Sequence, residues 1–238
     1  MAETSKTVNH ALAALLELSE NGAMSPAELA QRLGLNRTVV HRLLATLHER
    51  GFVTRGEDGY VPGSVLIRIA SRVQPELRAA AADVMADLAR AADETVVLHI
   101  ADGDDAVVLD QHVASWHVLR VEHHIGSRHP LSSGASGRAL LAYLPQPTIA
   151  RVLRRHPSPE RLTRQLEQVQ ALGYAISHDE LQNGVHGLAV PIVAAPAETA
   201  EASLAVIVPS TRAGGITEHI DALHDAAARI VAGLHERR

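Results

Sequence analysis

Cysteine is absent from the 238 residues, and aromatic residues make up only 2% of them. Without cysteine the chain cannot form disulfides, thiolate zinc sites or iron–sulfur clusters, and it has no cysteine nucleophile. With so few aromatic rings, it cannot stack several bases on an aromatic sheet as RNA-recognition motifs do. The core must therefore consist mainly of alanine, valine, leucine and isoleucine.

The chain also lacks long uncharged stretches and an excess of positive charge. No uncharged run reaches the roughly 18 residues of a membrane span, and no apolar signal core follows the first residues. We therefore expect a cytoplasmic protein with no membrane partner. The net charge is −5, which does not exclude nucleic-acid binding, because only one face of the molecule needs to be positive.

Three helical segments dominate residues 1–63. Apolar residues at helical spacing predict a first helix from Thr7 to Glu20. A capping box, Ser25-Pro26-Ala27-Glu28, begins a second helix from Pro26 to Leu33. After a glycine turn, Asn36 is a suitable N-cap for a third helix from Arg37 to Arg50. This order is that of a helix-turn-helix.

The third helix combines an apolar stripe with a polar face that we predict reads DNA. Recognition helices place their N-terminal turns against base edges and phosphates. The predicted contacts are Arg37, Thr38, His41 and Arg42. Residues 52–55 and 60–62 then form a predicted hairpin, which would be the wing of a winged helix with Arg55 facing the DNA backbone. For Arg37 alone, an ordinary solvated face is an equally good interpretation.

Beyond the hairpin, the pattern predicts an α+β fold. We expect a linker helix within residues 64–74 and a C-terminal domain over residues 75–238, and its antiparallel strands and helices exclude a doubly wound parallel sheet. The predicted strands are 95–101, 106–113, 116–125, 174–178, 187–193 and 202–208. The predicted helices are 76–92, 136–143, 146–155, 159–172 and 217–236.

Three stretches in order along the chain resemble the IclR (isocitrate lyase regulator) family of bacterial transcription factors. They are residues 35–53, residues 130–142, and residues 173–180 with 184–192. The resemblance implies a winged helix-turn-helix domain, a linker helix and a GAF-like effector-binding domain. It also implies a homodimer, often a tetramer, on pseudo-palindromic double-stranded DNA. The implied effector is a small organic acid or an aromatic degradation intermediate, and no cofactor is implied.

The loop Ser132–Gly137 precedes a predicted helix and is a candidate site for the effector's carboxylate. Its backbone N–H groups and the helix dipole favour an anion, and Ser133 and Ser136 add hydroxyl groups. A simple N-capped helix with small residues for close packing is the alternative. The resemblance places further pocket positions at Val118, Val121, Ala135, Ser136, Ser177, Val185 and Gly187. Asp179 lies close to Ser177 in sequence, and His99, within an alternating apolar strand, is the expected pocket histidine.

Some positions depart from the family's pattern. Gly187 stands where cysteine is common, Ser177 where some members have aspartate, and residues 205–208 are apolar where serines are frequent. We therefore predict a pocket with fewer polar groups and more room, suited to a larger and partly apolar acid.

Five histidines in the middle of the chain allow a second interpretation. His112, His117, His123, His124 and His129 lie near the predicted second and third strands, and converging imidazoles can bind a metal. Their spacing has no helical i, i+4 pair, and carboxylate partners are not evident. We therefore predict surface or hydrogen-bonded histidines and no metal site.

Two other function classes remain as alternatives to a regulator. A hydrolase could use Ser136, His178 and Asp179, but the G-x-S-x-G elbow, the P-loop and the dinucleotide fingerprint are all missing. The chain could also be a ligand-binding module without DNA activity of its own. We predict a regulator that is not an enzyme.

Overall fold

The computed structural model describes residues 4–113, 119–194 and 199–237. The chain divides into two compact units, with the boundary between Pro75 and Glu76. Among the described residues, no helix is both long enough and apolar enough to cross a bilayer. The N-terminal unit contains α1 (Lys6–Asn21), α2 (Pro26–Leu33), α3 (Arg37–Glu49), β1 (Val53–Gly56), β2 (Gly59–Pro62) and α4 (Val65–Ala70).

Local hydrogen bonds cap the N-termini of α2 and α3 at the residues that the sequence predicts. The Ser25 hydroxyl accepts from the Glu28 N–H at 3.3 Å, and the Glu28 carboxylate accepts from the Ser25 N–H at 2.8 Å. At the start of α3, Asn36 Oδ1 accepts from the Thr38 N–H at 2.9 Å. The three helices enclose a core that includes Leu18, Leu29, Val40 and Leu44. The predicted helix-turn-helix is confirmed.

The hairpin β1–β2 is attached to the loop between α1 and α2 through the start of β2. Met24 and Tyr60 exchange two backbone hydrogen bonds, of 3.1 and 2.8 Å. Gly59 has φ +139°, and a Cβ there would lie 2.3 Å from the backbone of Met24. Only glycine fits this close approach of two backbones, and the wing depends on it.

The linker helix α4 is shorter than the predicted segment. It ends at Ala70, and Gln74 has φ +47°, which lies outside the helical region. Because Pro75 restricts the residue before it, the chain leaves the helical conformation here and restarts as α5.

The C-terminal unit is an antiparallel six-stranded sheet with helices on both faces. It contains α5 (Pro75–Ala92), β3 (Thr95–Asp102), β4 (Asp105–His112), β5 (Arg128–Pro130), α6 (Gly134–Leu141), α7 (Gln146–Arg155), α8 (Pro159–Leu172), β6 (Ala175–His178), β7 (Val185–Val193), β8 (Ala200–Pro209), a 3-10 helix (Ser210–His219) and α9 (Ile220–His235). The strand order is β5-β4-β3-β8-β7-β6. The predicted α+β class is confirmed.

Alternation along the strands gives the two faces of the sheet different sizes of side chain. Large residues such as Leu98, Leu188 and Leu204 pack against α5 and α9. On the other face, Ala189 and Ala205 pack with α6 and its neighbouring helices. Small side chains let α6 lie close to the sheet, and its N-terminal turn borders a cavity there.

The strand predicted at 116–125 is wrong for the residues that the structure describes, and residues 116–118 lie outside them. Residues 119–125 form no strand, and the short β5 pairs with β4 instead. The segment is held by side chains: the Thr95 hydroxyl donates to the Val121 carbonyl at 2.7 Å, and the Gln111 side chain bonds the backbone of His123. The closing helix begins at Ile220 rather than Thr217, after the 3-10 helix.

Candidate functional site

The first turns of α3 present a polar face to solvent. Burial of Val40, Leu43, Leu44 and Leu47 fixes the orientation of the helix. All five residues predicted to contact DNA are exposed: Arg37, Thr38, His41, Arg42 and Arg55. Sequence reasoning missed Val39, which is 40% exposed among them. An exposed apolar side chain beside these groups is suited to contact a thymine methyl.

The arginines on this face are available for a partner. Within the described residues, none of Arg37, Arg42 and Arg55 forms a salt bridge, whereas Arg32 in α2 pairs with Glu17 at 3.3 Å. Unpaired cations at the start of a recognition helix are typical of phosphate and base contacts.

A cavity in the C-terminal unit is a second candidate site. It lies between the sheet, the N-terminal turn of α6 and the loop after β6. Its lining is His99, His123, Ala135, Ser136, Ser177, Leu181, Gln182, Val185, Gly187, Ala205 and Ile207. Six of the residues predicted for an effector pocket meet here: His99, Ala135, Ser136, Ser177, Val185 and Gly187.

Two of the predicted pocket residues that the structure describes, Val121 and Asp179, do not belong to this lining. Val121 is buried in a neighbouring cluster, where it packs with Val97 and Val108. Asp179 holds the turn after β6, where its carboxylate accepts from the Gly184 N–H at 2.6 Å. Val118 lies outside the described residues.

The N-terminus of α6 already contacts one carboxylate of the chain itself. The Gly134 N–H donates to Glu180 Oε2 at 3.0 Å, and Arg138 holds the same carboxylate. Burial alone would raise the pKa of Glu180, but hydrogen bonds from Arg138 and Gly134 lower it below its ordinary value. The carboxylate of Glu180 thus occupies part of the predicted anion site at this loop. The first-turn N–H groups of Ala135 and Ser136, which have no partner in their own helix, border the cavity.

Two imidazoles, two hydroxyl groups and one amide form the polar portion of the described lining. His99 is 2% exposed, and neither of its ring nitrogens has a hydrogen-bond partner among the residues that the structure describes. Burial, and then the neighbouring His129 and His123, lower the pKa of His99 well below its ordinary value. Burial also lowers the pKa of His123 and the pKa of His129. The expectation of fewer polar groups stays a prediction, and His123 is a polar lining residue that it did not include.

The cavity is smaller than the roomy pocket that the sequence predicts. It measures about 30 Å³, which is room for about two water molecules. Leu181 and Gln182 line one side of the cavity and are exposed to solvent. A ligand with an aromatic ring needs more room than this, so the loop that carries these two residues would have to move.

Neither alternative chemistry has the geometry that it needs among the described residues. Ser136 Oγ lies 3.2 Å from His129 Nε2, but His129 Nδ1 faces the Pro130 carbonyl rather than a carboxylate. His178, the histidine predicted for a hydrolase, pairs with His186 at 2.7 Å instead. Within the described stretches of the chain, no three metal-binding side chains are placed to share an ion.

Comparison with protein families identifies the two units. The IclR helix-turn-helix domain matches residues 7–57, and the bacterial transcriptional regulator IclR C-terminal domain matches residues 70–232. The chain belongs to the IclR family. It is therefore a transcriptional regulator with a helix-turn-helix DNA-binding domain.

Relatives and solved structures agree with this membership in the IclR family. The HTH-type transcriptional regulator KipR of Bacillus subtilis is 30% identical over 205 residues, which cover 81% of this chain and 82% of KipR. An IclR regulator from Alicyclobacillus acidocaldarius superimposes with TM-score 0.81 and 26% identity, over 98% of this chain and all of that one. An IclR homologue from Microbacterium hydrocarbonoxydans, complexed with 4-hydroxybenzoate, shares the fold (TM-score 0.85, 22% identity, 97% and 100% coverage).

Three side chains near the cavity of this IclR-family chain have no signal of their own in the sequence. The sequence indicates His123 and His129 only as candidate metal ligands, and it gives no indication for Gln182. Their positions depend on where a loop and a short edge strand are held.

Proposed function

We propose that this regulator binds operator DNA through α3 and the wing, and that the cavity beside α6 binds a small organic or aromatic carboxylic acid that changes DNA affinity. The observation that carries the proposal is that the described residues form two separate sites. One is a set of exposed arginines on α3 without salt-bridge partners, and the other is a buried cavity with unsatisfied hydrogen-bonding groups. The complex of the Microbacterium homologue with 4-hydroxybenzoate supports the aromatic class.

The DNA-binding protein is a homodimer in this proposal. On α1, Val8, Leu12 and Leu16 recur every fourth residue and are each more than half exposed, which gives the helix an apolar stripe facing solvent. A twofold pair of these stripes would place two copies of α3 on a pseudo-palindromic operator. A tetramer would follow from a second interface in the C-terminal unit.

The same proposal gives the protein a binding role without catalysis, in the cytoplasm. The Ser136–His129 contact supports binding, since an orienting carboxylate is not placed on His129 by any described residue. In this proposal residues 1–63 read the DNA, residues 64–74 connect the two units, and residues 75–238 bind the effector.

Fluorescence anisotropy on DNA from upstream of the protein's own gene tests the proposal. With random competitor DNA and a salt series, we expect specific binding that a carboxylic acid shifts. Replacing Arg37 or Arg42 by alanine should lower affinity about tenfold or more, and each lost phosphate contact should reduce the salt slope by about 0.9.

Arg164→Ala is the matched control, because Arg164 is an exposed arginine in the C-terminal unit. Its DNA affinity should equal that of the wild type. Acid binding without specific DNA binding at any salt concentration would instead support the ligand-binding module that has no DNA activity.

A further inference from the structure

Three imidazoles gather at the cavity, and we refer to His99, His123 and His129 as the histidine cluster. The ring centroids of His99 and His129 are 5.4 Å apart, and those of His99 and His123 are 6.3 Å apart. His99 extends from β3 beside a β-bulge, His123 comes from the loop before β5, and His129 lies in β5. The three rings therefore come from separate elements and meet at one place.

The cluster supplies the ionisable groups of the cavity. Among the described lining residues, there is no lysine, arginine, aspartate or glutamate. The charged groups on surrounding elements are paired with each other: Arg138 with Glu180, Arg128 with Asp102 and Asp105, Arg120 with Glu122, and Asp179 with His186. His124 is exposed beside His123, and Asp105 also acts on His129. An anion that enters the cavity finds no fixed cation there.

Burying an unpaired carboxylate is very unfavourable, so such an anion needs a positive charge close by. The nearest group that can become positive is an imidazole of the histidine cluster. We propose that the histidine cluster takes up a proton from solvent when a singly charged carboxylate binds, and that this proton is the counter-charge that selects monoanionic acids. This inference rests on the proposed function and adds the charge of the effector and the pH dependence of its binding.

The contacts of His129 show how one proton would change the site. In neutral His129, Nδ1–H can donate to the Pro130 carbonyl at 3.2 Å, which leaves Nε2 to accept from the Ser136 hydroxyl at 3.2 Å. Once Nε2 is protonated, it donates to Ser136 Oγ instead, and the hydroxyl hydrogen becomes free to point at the ligand. A single proton thus adds both a positive charge and a hydrogen-bond donor.

The unpaired nitrogens of His99 provide the second contact for the ligand. A buried imidazole without partners loses the hydrogen bonds that water would give it. A carboxylate that accepts from a protonated His99 would restore one of them. The proton can reside on any ring of the histidine cluster, because interacting groups titrate as a unit.

Calorimetry on the full chain tests the proposal with benzoate and 4-hydroxybenzoate as probes and benzamide as a neutral analogue. The heat of binding is compared in buffers that differ in ionisation enthalpy, at several pH values. We expect an uptake of about one proton per bound carboxylate and about a tenfold loss of affinity per pH unit above neutrality. Benzamide should bind without proton uptake.

Two substitutions assign the proton, and one serves as control. The double variant His99→Gln with His129→Asn should lose most of the proton uptake and flatten the pH dependence. His224→Gln, which changes an exposed histidine of α9 outside the lining, should behave as the wild type. If the double variant does not fold, His129→Asn alone takes its place, because binding of the acid in its own protonated form would give the same wild-type result.

Carboxylate binding without proton uptake would overturn the proposal. The proposal would also be overturned if neither carboxylate bound at pH 6 and neither bound at pH 8. These outcomes differ from failure of the proposed function. Proton-linked binding that leaves DNA affinity unchanged would support the histidine cluster and contradict effector control of DNA.

Discussion

Arg138 and Glu180 form a two-point ion pair, with Nη1 2.6 Å from Oε2 and Nη2 2.9 Å from Oε1. Arg138 also donates to the Ile176 carbonyl at 2.8 Å, and Glu180 accepts from the Gly134 N–H. The pair therefore ties α6, which carries Ala135 and Ser136, to β6, which carries Ser177. This contact fixes the positions of two walls of the cavity relative to each other.

The two partners differ in exposure, and this predicts unequal effects of substitution. The Arg138 side chain is 5% exposed and that of Glu180 is 34% exposed. Glu180→Ala should cost about 3 kcal/mol in the free energy of unfolding, because it leaves a buried guanidinium without its counter-charge. Arg138→Met should cost less, since the remaining carboxylate can reach water. Urea unfolding of both variants checks the order.

Asp102→Ala is the control for this pair, because Asp102 and its partner Arg128 are both about half exposed. It should change stability by less than about 1 kcal/mol. The lowered pKa of Glu180 adds a pH signature: its stabilisation is present above the unfolded carboxyl pKa and is lost as pH falls through the lower folded value. Equal losses of stability for Glu180→Ala and Arg138→Met would contradict the prediction that the buried guanidinium is the costlier group to leave without a partner.

The histidine cluster predicts a loss of stability in mild acid when no acid ligand is present. The folded pKa of His99 is depressed below the unfolded value of about 6.5, so the unfolded chain binds protons first. The resulting stabilisation is complete above about pH 6.5 and is lost as pH falls below it. Each such histidine contributes a slope of about 1.4 kcal/mol per pH unit.

Urea unfolding between pH 7.5 and pH 5 measures this slope. His99→Gln should reduce it by about one proton, and His224→Gln, at an exposed histidine of α9, should leave it unchanged. A slope that is the same in wild type and His99→Gln would mean that His99 is not the group that titrates.

Local signals in the sequence predict the helices well. The bounds of α2, α7 and α8 agree with prediction to the residue, because each begins with a proline in its first turn, where proline fits best. In α2 the capping box adds a second local signal. Such signals act within a few residues and need no knowledge of the rest of the chain.

The loop before β5 shows where this reasoning fails. Its alternating pattern predicts a strand, but Thr95 and Gln111, far away in sequence, hold Val121 and His123 as an irregular segment. The sequence does not predict the histidine cluster for the same reason, since only tertiary contacts bring its three rings together. Likewise, nothing near Gly134 in the sequence indicates that Glu180 contacts its N–H group.

The apolar stripe of α1 predicts dimer dissociation by a single charge. Leu12 is 55% exposed between Val8 and Leu16, so Leu12→Glu should not disturb the monomer fold but would bury two like charges in a twofold interface. Sedimentation should show a shift from dimer to monomer, with unchanged circular dichroism. Leu172→Glu, at an equally exposed leucine of α8, should remain a dimer. A monomeric wild type would contradict the interface.

The wing offers a substitution that separates crowding from backbone strain. Gly59→Ala places a Cβ 2.3 Å from the carbon and oxygen of the Met24 carbonyl, so the hairpin must separate from the loop between α1 and α2. Gly34→Ala, also at positive φ (+63°, in the left-handed helical region), has nothing within 4 Å and should cost only about 1 kcal/mol. Gly59→Ala should cost more than about 2 kcal/mol and weaken DNA binding, because Arg55 loses its fixed position. Thermal unfolding and anisotropy on both variants compare the two effects. Equal losses for Gly34→Ala and Gly59→Ala would show that positive φ alone, rather than contact with Met24, requires glycine in the wing.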